Sequence, residues 1–415
     1  MRPTRIVRDL LGVENTVVIS QDREVTGDGG WELIVRVRPK IGKAQRCSRC
    51  LRRCPRYDRR PARRWRSLDL GTTMVWLHAD VVRVSCLEHG VLTAHVPWAR
   101  PDSRFTLAFE DTVAWLTARA SMSVVAEFLR TTWRSVHDIV ERVVTDLAEG
   151  TDQLAGLRRI GIDEIAYRRG QRYLTCVLDH DTGRLVWAKE GRDSGVIRAF
   201  FDDLGAERVT QLTHVSADGA EWIHTPVRER APNAVLCLDP FHIVQWATKA
   251  VDKVRRSLWN TLRGTGHAQA ASDMKATRWA LLKNPEDLTG EQRTSLATIA
   301  KTNHRLYRAY LIKEQLRAVF AVTGKTGRRL LTGWISWATR CRIPEFVTLA
   351  KTIKHYLPLI HNTLDHGLSN ARAEATNTHL RVLTRRAYGF RTPNALISMA
   401  MLTRGRLCPP LPGRS

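Results

Sequence analysis

The sequence predicts a multidomain α+β chain: an N-terminal β region with paired Cys/His knuckles, a helical trio, and an α/β core broken by an all-helical stretch. Three observations carry that expectation. At 415 residues the chain exceeds the usual size of one hydrophobic core. Two knuckle-spaced pairs, Cys47-x-x-Cys50 and Cys86-x-x-His89, abut strand-like segments. Beyond them, residues 158–240 alternate strand and helix patterns, whereas 243–364 keep a helical pattern almost throughout. The expected boundaries are 1–100 for the β region, 101–150 for the helical trio and 151–246 for the first part of the core. The helical stretch then covers 247–364, and 365–415 holds the last core helix and a tail.

Residues 16–20 and 31–37 are apolar stretches separated by Gly27-Asp28-Gly29-Gly30, which reads as a short hairpin. Residues 47–66 are rich in Arg and Pro, and 76–85 return to strand-like alternation leading into Cys86. Helices are expected over 105–118, 122–129 and 132–144, with Thr131 or Thr132 as N-cap of the third and Gly150-Thr151 as a linker. Core strands are expected at 159–167, 173–179, 184–190, 211–216 and 234–238, with helices at 194–204 and 221–230 and a turn at Asp181-Thr182-Gly183. Breaks at 264–266, 284–285, 289–290 and 324–327 divide the helical stretch into five or six helices. A final helix over about 370–386 precedes a Pro-rich tail.

Lys and Arg total 66 against 41 acids, a formal net charge of +25. Such an excess favours a polyanion, because neutralising phosphates releases counterions. No apolar run reaches transmembrane length and the first residues lack the apolar core of a secretory signal, so the expected compartment is the cytoplasm, at the nucleoid, with no membrane partner. Isolated cysteines at 176, 237, 341 and 408 suit a reduced interior better than a disulfide framework.

Each knuckle pair can grip one side of a tetrahedral Zn²⁺, with Cys54 as a possible substitute ligand. Between the pairs lie Arg52, Arg53, Arg56, Arg59, Arg60, Arg63, Arg64 and Arg66, with Asp58 as the one acid and Tyr57 and Trp65 interleaved. Beside a metal ribbon, that run reads as a phosphate-binding surface rather than a merely solvated face. In the helical trio, a short helix, a tight turn and a helix opening Thr-Trp-Arg-Ser resemble a helix-turn-helix, with Trp133 and Arg134 on its recognition helix. A plain three-helix support would look the same.

Four acids stand out in the remainder. Asp163 interrupts an apolar strand, which is costly unless it binds metal or pairs. Asp218 and Asp239 follow the fourth and fifth strands, and His242 lies one helical turn after Asp239 if a helix starts at Pro240. Glu374 shares a helical face with Asn370, Asn377 and Arg381, which Arg385 continues. Phosphoryl transfer on DNA needs hard divalent ions, and these want carboxylate oxygens from separate elements.

Taken in order, the knuckles, the helical trio, Gly-Ile-Asp-Glu, Asp-Pro-Phe-His, Ser-Asn-x3-Glu-x2-Asn and Tyr388-Gly389-Phe390-Arg391 resemble bacterial transposases of the insertion-sequence L-three family, from about residue 47 to 391. The resemblance implies a ribonuclease-H-like core with Asp163, Asp218 and Glu374 holding Mg²⁺ or Mn²⁺. It implies that the helical stretch is an insertion, and that Asp239 and His242 form an accessory pair after the second catalytic Asp. Its DNA would be double-stranded, the terminal inverted repeats and a target, bound by a homodimer or larger assembly. One departure is visible: His89 stands where the family's second knuckle more usually has Cys. Two rivals share these features, a nuclease or resolvase on the same core and a non-catalytic DNA-binding regulator; an intact carboxylate set argues against the latter.

Overall fold

The computed structural model describes residues 3–25, 27, 29–168, 170, 172–368, 371–387, 389–390 and 392–414, without the side chains of 3–5 and 371–373. Asn370, Tyr388 and Arg391 therefore lie outside the described residues. The chain forms two units, Met1–Asp152 with Arg386–Ser415, and Gln153–Arg385.

The first unit opens with a helix that sequence patterning missed, α1 (Pro3–Leu10), followed by the expected hairpin, β1 (Thr16–Val25) and β2 (Trp31–Pro39). Most of the arginine run is a strand. From Arg56 on it forms β3 (Arg56–Leu70), with Arg52 and Arg53 in the loop before it, and β3 pairs antiparallel with β4 (Thr73–Cys86), whose end turns into β5 (Gly90–Thr93). The sheet order is β1-β2-β4-β3, with β5 on β4. Val35, Val37, Trp65, Leu77 and Trp98 cluster in one core. Arginine stems can lie along a sheet while their heads stay wet, so a charged strand need not show apolar alternation. Arg66 corrects the expectation of eight phosphate-facing arginines: it is 4% exposed, with its guanidinium on Asp69 and the Ser67 carbonyl. The trio follows as α2 (Leu107–Thr117), α3 (Met122–Phe128) and α4 (Trp133–Glu149). Each begins at a side-chain cap, and the cap of α4 is Thr132, whose hydroxyl accepts from Ser135 N at 3.0 Å.

The second unit carries a five-stranded sheet of order β10-β9-β6-β7-β8. β6 (Arg159–Arg168), β7 (Arg172–Asp179) and β8 (Leu185–Glu190) form an antiparallel meander, the first turn of which falls partly outside the described residues. After α5 (Ser194–Leu204) and the short α6 (Ala206–Val209), β9 (His214–Ala217) joins parallel to β6. After α7 (Glu221–Arg230), β10 (Val235–Leu238) joins parallel to β9 at the sheet edge. Both crossovers bury apolar side chains, among them Ile197, Phe200, Ile223 and Val227, against Ile160, Ile162 and Val215.

The helical stretch has eight α-helices rather than five or six: α8 (Pro240–Gly264), α9 (Ala268–Ala276), α10 (Arg278–Leu282), α11 (Gly290–Thr302), α12 (His304–Val319), α13 (Gly324–Arg340), α14 (Pro344–His355) and α15 (Leu357–His366). The extra boundaries carry little Gly signal. Asn303 caps α12 by accepting from Leu306 N at 2.9 Å, and Pro344 and Pro358 sit in the first turns of α14 and α15. Their shared core includes Val251, Leu316, Trp334, Phe346 and Leu364. α16 (Ala371–Arg386) carries Glu374. The tail is not merely Pro-rich, because α17 (Pro393–Arg404) packs on α4 in the first unit. Its Leu396, Met399 and Leu402 are buried.

Candidate active site and metal knuckles

Asp163 lies mid-strand in β6 and is 4% exposed between buried Ile162 and Ile165. One carboxylate oxygen accepts from Glu164 N at 2.8 Å and the other from Asn377 Nδ2 at 2.7 Å. Burial, and then the neighbouring Asp218, pushes its carboxyl up to about 7. The strands β9 and β10 run parallel to β6, so their C-terminal ends share one edge of the sheet. Asp218 follows β9 there and Asp239 follows β10.

Asp239 is fully buried, and its carboxylate accepts from Phe241 N at 3.4 Å as the N-cap of α8. With Pro240 at the helix start, His242 falls one turn on. Its Nδ1–H donates to Asp239 Oδ2 at 2.8 Å, and the same nitrogen lies 2.5 Å from Asp218 Oδ1 as an ion pair. Burial alone would lower the pKa of His242, but the two carboxylates outweigh it and raise the ring to about 10. Across the cleft, Asn377 ties α16 to Asp163, and Glu374 lies nearly one helical turn away on the same helix. Burial, then the charge of Asp239, pushes Glu374 up to about 7, with Asp218 adding and His242 opposing.

A cleft of about 160 Å³ opens here, lined by Asp163, Glu164, His242, Glu374, Asn377 and Arg381. Glu374 Oε1 and Glu164 Oε2 are buried with no hydrogen-bond partner, although Glu164 Oε1 meets Arg192 at 2.6 Å. Carboxylates on the walls of one cleft, two of them with unpartnered buried oxygens, are the kind of donor a hard divalent cation takes.

The knuckles meet as expected. Cys47, Cys50, Cys86 and His89 place their ligand atoms within 4.8 Å of one another. Individual spacings are 3.7 Å from Cys47 Sγ to His89 Nδ1, 3.5 Å from Cys86 Sγ to the same nitrogen, and 3.7 Å between the sulfurs of Cys50 and Cys86. A tetrahedral ion with bonds of about 2.3 Å to sulfur and about 2.0 Å to nitrogen spaces its ligands about 3.5–3.8 Å apart. The agreement extends to the loops. Arg49 N and Cys50 N donate to Cys47 Sγ at 3.4 and 3.5 Å, and each knuckle ends in a left-handed residue, Leu51 (φ 57°) and Gly90 (φ 67°). Cys54 is buried behind this set and is not one of the four clustered ligands.

The ISL3-type DDE family model, described as Transposase, matches residues 160–400, and a model for the helix-turn-helix domain of transposase family ISL3 matches 94–144. The chain belongs to the ISL3 family of transposases. It is similar to the transposase for insertion sequence element IS1557 from two strains of Mycobacterium tuberculosis, 50% identical over 437 aligned residues that cover 100% of this chain and 98% of the relative. It is also similar to the transposase for insertion sequence element IS1001 of Bordetella parapertussis, 26% identical over 367 residues, 88% of this chain and 89% of that one. The protein is a DNA transposase with a helix-turn-helix DNA-binding domain.

The fold thus brings the ligand atoms of Asp218, Asp239 and His242 within 4.8 Å of one another, and separately those of the four knuckle residues. Asp163 and Glu374 lie near enough to the first group to feel its charges without joining it. Trp133 and Arg134 are exposed at the start of α4. Arg52, Arg53, Arg56, Arg59, Arg60 and Arg64 are exposed and Arg63 is half-buried, whereas Asn377, expected to face DNA, is buried against Asp163. Arg381 and Arg385 are exposed on α16. Sequence reasoning missed Arg36 and Arg38. They join Arg53, Arg56 and Arg59 around a groove of about 550 Å³ that also includes His78 and one acid, Asp80. Only the strand register reveals this, since Arg36 pairs with His78 across β2 and β4.

Proposed function

We propose that this transposase binds the terminal inverted repeats of its own element and cuts and joins DNA with divalent metal ions held by Asp163, Asp218 and Glu374 on a ribonuclease-H-like core. The observation that carries the reading is the return of α16 onto β6, where Asn377 grips Asp163 beside Glu374. The strand order, with two parallel strands beside an antiparallel meander, supports the core assignment. Mg²⁺ or Mn²⁺ bound there would activate the attacking oxygen and stabilise the leaving one. Asp163 and Glu374 would hold that charge as carboxylates, releasing to solvent any proton they carry. Asp218 is preferred to Asp239 as the second ligand because its side chain is 14% exposed, whereas that of Asp239 is 0% exposed and already caps α8. His242 then orients Asp218.

Zn²⁺ at Cys47, Cys50, Cys86 and His89 would brace the basic groove, which takes duplex phosphates together with the other exposed arginines of 52–64. Trp133 and Arg134 on α4 would read DNA, with Arg381 and Arg385 beside the cleft contacting the strand to be cut. The regions 1–100, 101–150, 151–246, 247–364 and 365–415 are assigned to ribbon, helix-turn-helix, core, insertion and closing core helix, with α17 moved to the N-terminal unit. The protein would work at the nucleoid as a dimer or larger assembly on DNA. No helix among the described residues is long and apolar enough to cross a membrane.

The test compares four variants on labelled element ends. Asp163→Asn, Asp218→Asn and Glu374→Gln should each abolish strand cleavage and leave DNA binding intact, since metal ligands act as a unit. Asp239→Asn should cut slowly. If Asp218→Asn cuts normally while Asp239→Asn is dead, the second ligand lies one strand later.

A further inference from the structure

We infer that the helical block is a positioning frame for the catalytic edge: Tyr356 and Trp246 hold the Asp218–Gly219 loop, and Asn362 and Thr363 hold the strand that delivers Asp239. The inference rests on the reading of Asp218 as a metal ligand. A loop beyond a strand end has no ladder to fix it, so side-chain donors decide where its carboxylate points. Tyr356 Oη donates to the Gly219 carbonyl at 3.0 Å. Trp246 packs beside Tyr356, ring centroids 5.7 Å apart, and fills the space next to Gly219, where a Cβ would lie 2.8 Å from the indole. On the preceding carbonyl, buried His224 donates from Nε2 to Asp218 O at 2.6 Å. Two successive loop carbonyls are therefore each gripped by a side chain.

The same block covers the open side of β10. This strand lies at the sheet edge, and its residues 235 and 239 donate toward β9, so the carbonyls of Leu236 and Leu238 face away from the sheet. Asn362 Nδ2 donates to Leu236 O at 2.9 Å and Thr363 Oγ1 to Leu238 O at 2.6 Å. A bare edge strand can slide or recruit another chain, and a helix that satisfies its carbonyls removes that freedom. α15 is itself wedged in place, because Gly327 on α13 leaves room for Leu364, which a Cβ would approach to 2.9 Å. Tyr356, Asn362 and Thr363 are thus positioning residues that act through Asp218, Asp239 and His242.

The full-length protein tests this with Tyr356→Phe, Thr363→Val and Thr363→Ser. Mn²⁺ binding without DNA is measured by calorimetry, folding by circular dichroism, and strand cleavage against Mn²⁺ concentration. Tyr356→Phe and Thr363→Val should stay folded and bind Mn²⁺ about tenfold more weakly, roughly the worth of one hydrogen bond. Their cleavage should recover as Mn²⁺ is raised, and Thr363→Ser, which keeps the hydroxyl, should behave as the parent. Unchanged Mn²⁺ affinity in both hydroxyl-deleting variants overturns the frame, as does an affinity loss that only tracks loss of folded protein. Asp218→Asn separates the two levels. If it still binds Mn²⁺ normally, the ligand assignment falls and the frame with it; if it alone loses binding, only the frame falls.

Discussion

A cation bound at Asp163 and Glu374 would need both carboxyls ionised. Both carboxyls are pushed up to about 7, chiefly by burial and then by the acids around them. An ordinary carboxylate titrates near about 4. Their protonated forms therefore favour the folded chain; that contribution is complete below about pH 4 and is lost as pH rises through about 7. The contribution of His242, raised to about 10, is complete below about pH 6.5 and declines as pH climbs from there through about 10. Metal-free protein should accordingly lose stability at this site as pH rises from about 4 through about 7, where cation binding becomes favourable. Mn²⁺ affinity should rise at least about tenfold from about pH 6 to about pH 8, with protons released to the buffer. Calorimetry in two buffers of different ionisation enthalpy measures both, and a flat affinity with no proton release would show that the two acids are already ionised.

At the scale of elements, the two knuckles do different mechanical work. The first closes the loop before β3, and the second is the turn between β4 and β5. Cys47, Cys54, Val84, Cys86 and Ala94 form only a small cluster of their own. Between the knuckles, β3 and β4 share the larger core of the unit through Trp65 and Leu77. It is the knuckle loops themselves that so few apolar side chains leave dependent on a cross-link, and a structural zinc would supply that folding free energy. Purified protein should contain one zinc per chain by elemental analysis. Removing it, by chelation or by Cys50→Ser, should open the knuckle loops within residues 47–93 to protease while the helices of the second unit stay protected. A metal-free preparation equally resistant over 47–93 would rule the site out as a structural one.

At the scale of the whole molecule, the net charge of +25 is the largest single bias toward DNA. It is not spread evenly in effect. Arg66 is buried inside the fold, while Arg36 and Arg38, far from the run in sequence, join Arg53, Arg56 and Arg59 at the groove. Replacing Arg38, Arg53, Arg56 and Arg59 with Ala should weaken binding to any duplex and reduce the slope of log affinity against log salt. The reduction should be about 0.9 for each phosphate that is no longer neutralised. A slope identical to the parent's would mean that the groove faces solvent in the complex. Chain topology also matters at this scale, since α17 returns to pack on α4 beside the DNA-binding helices.

The knuckle pairs, the helical trio with its Thr132 cap, and the five core strands could be read directly from the chain because each is a local pattern. Ligand spacing, side-chain capping and apolar alternation are set within a few residues. The buried position of Asp163 could be read as well, because a carboxylate in an apolar strand is costly wherever it occurs. Asp218 after a strand and Glu374 on a helix carry no such local mark. The helices α1 and α17, the strand character of the arginine run and the count of eight helices were not legible. Their polar or proline-rich segments are ordered by packing rather than by local periodicity. Tertiary structure alone decided that Asn377 turns inward to Asp163, that Arg66 is buried, and that Arg36 meets the groove. It alone brought Tyr356 to Gly219 and Thr363 to Leu238. Such pairs lie more than a hundred residues apart, and only closure of the shared cores decides which distant donor meets which carbonyl.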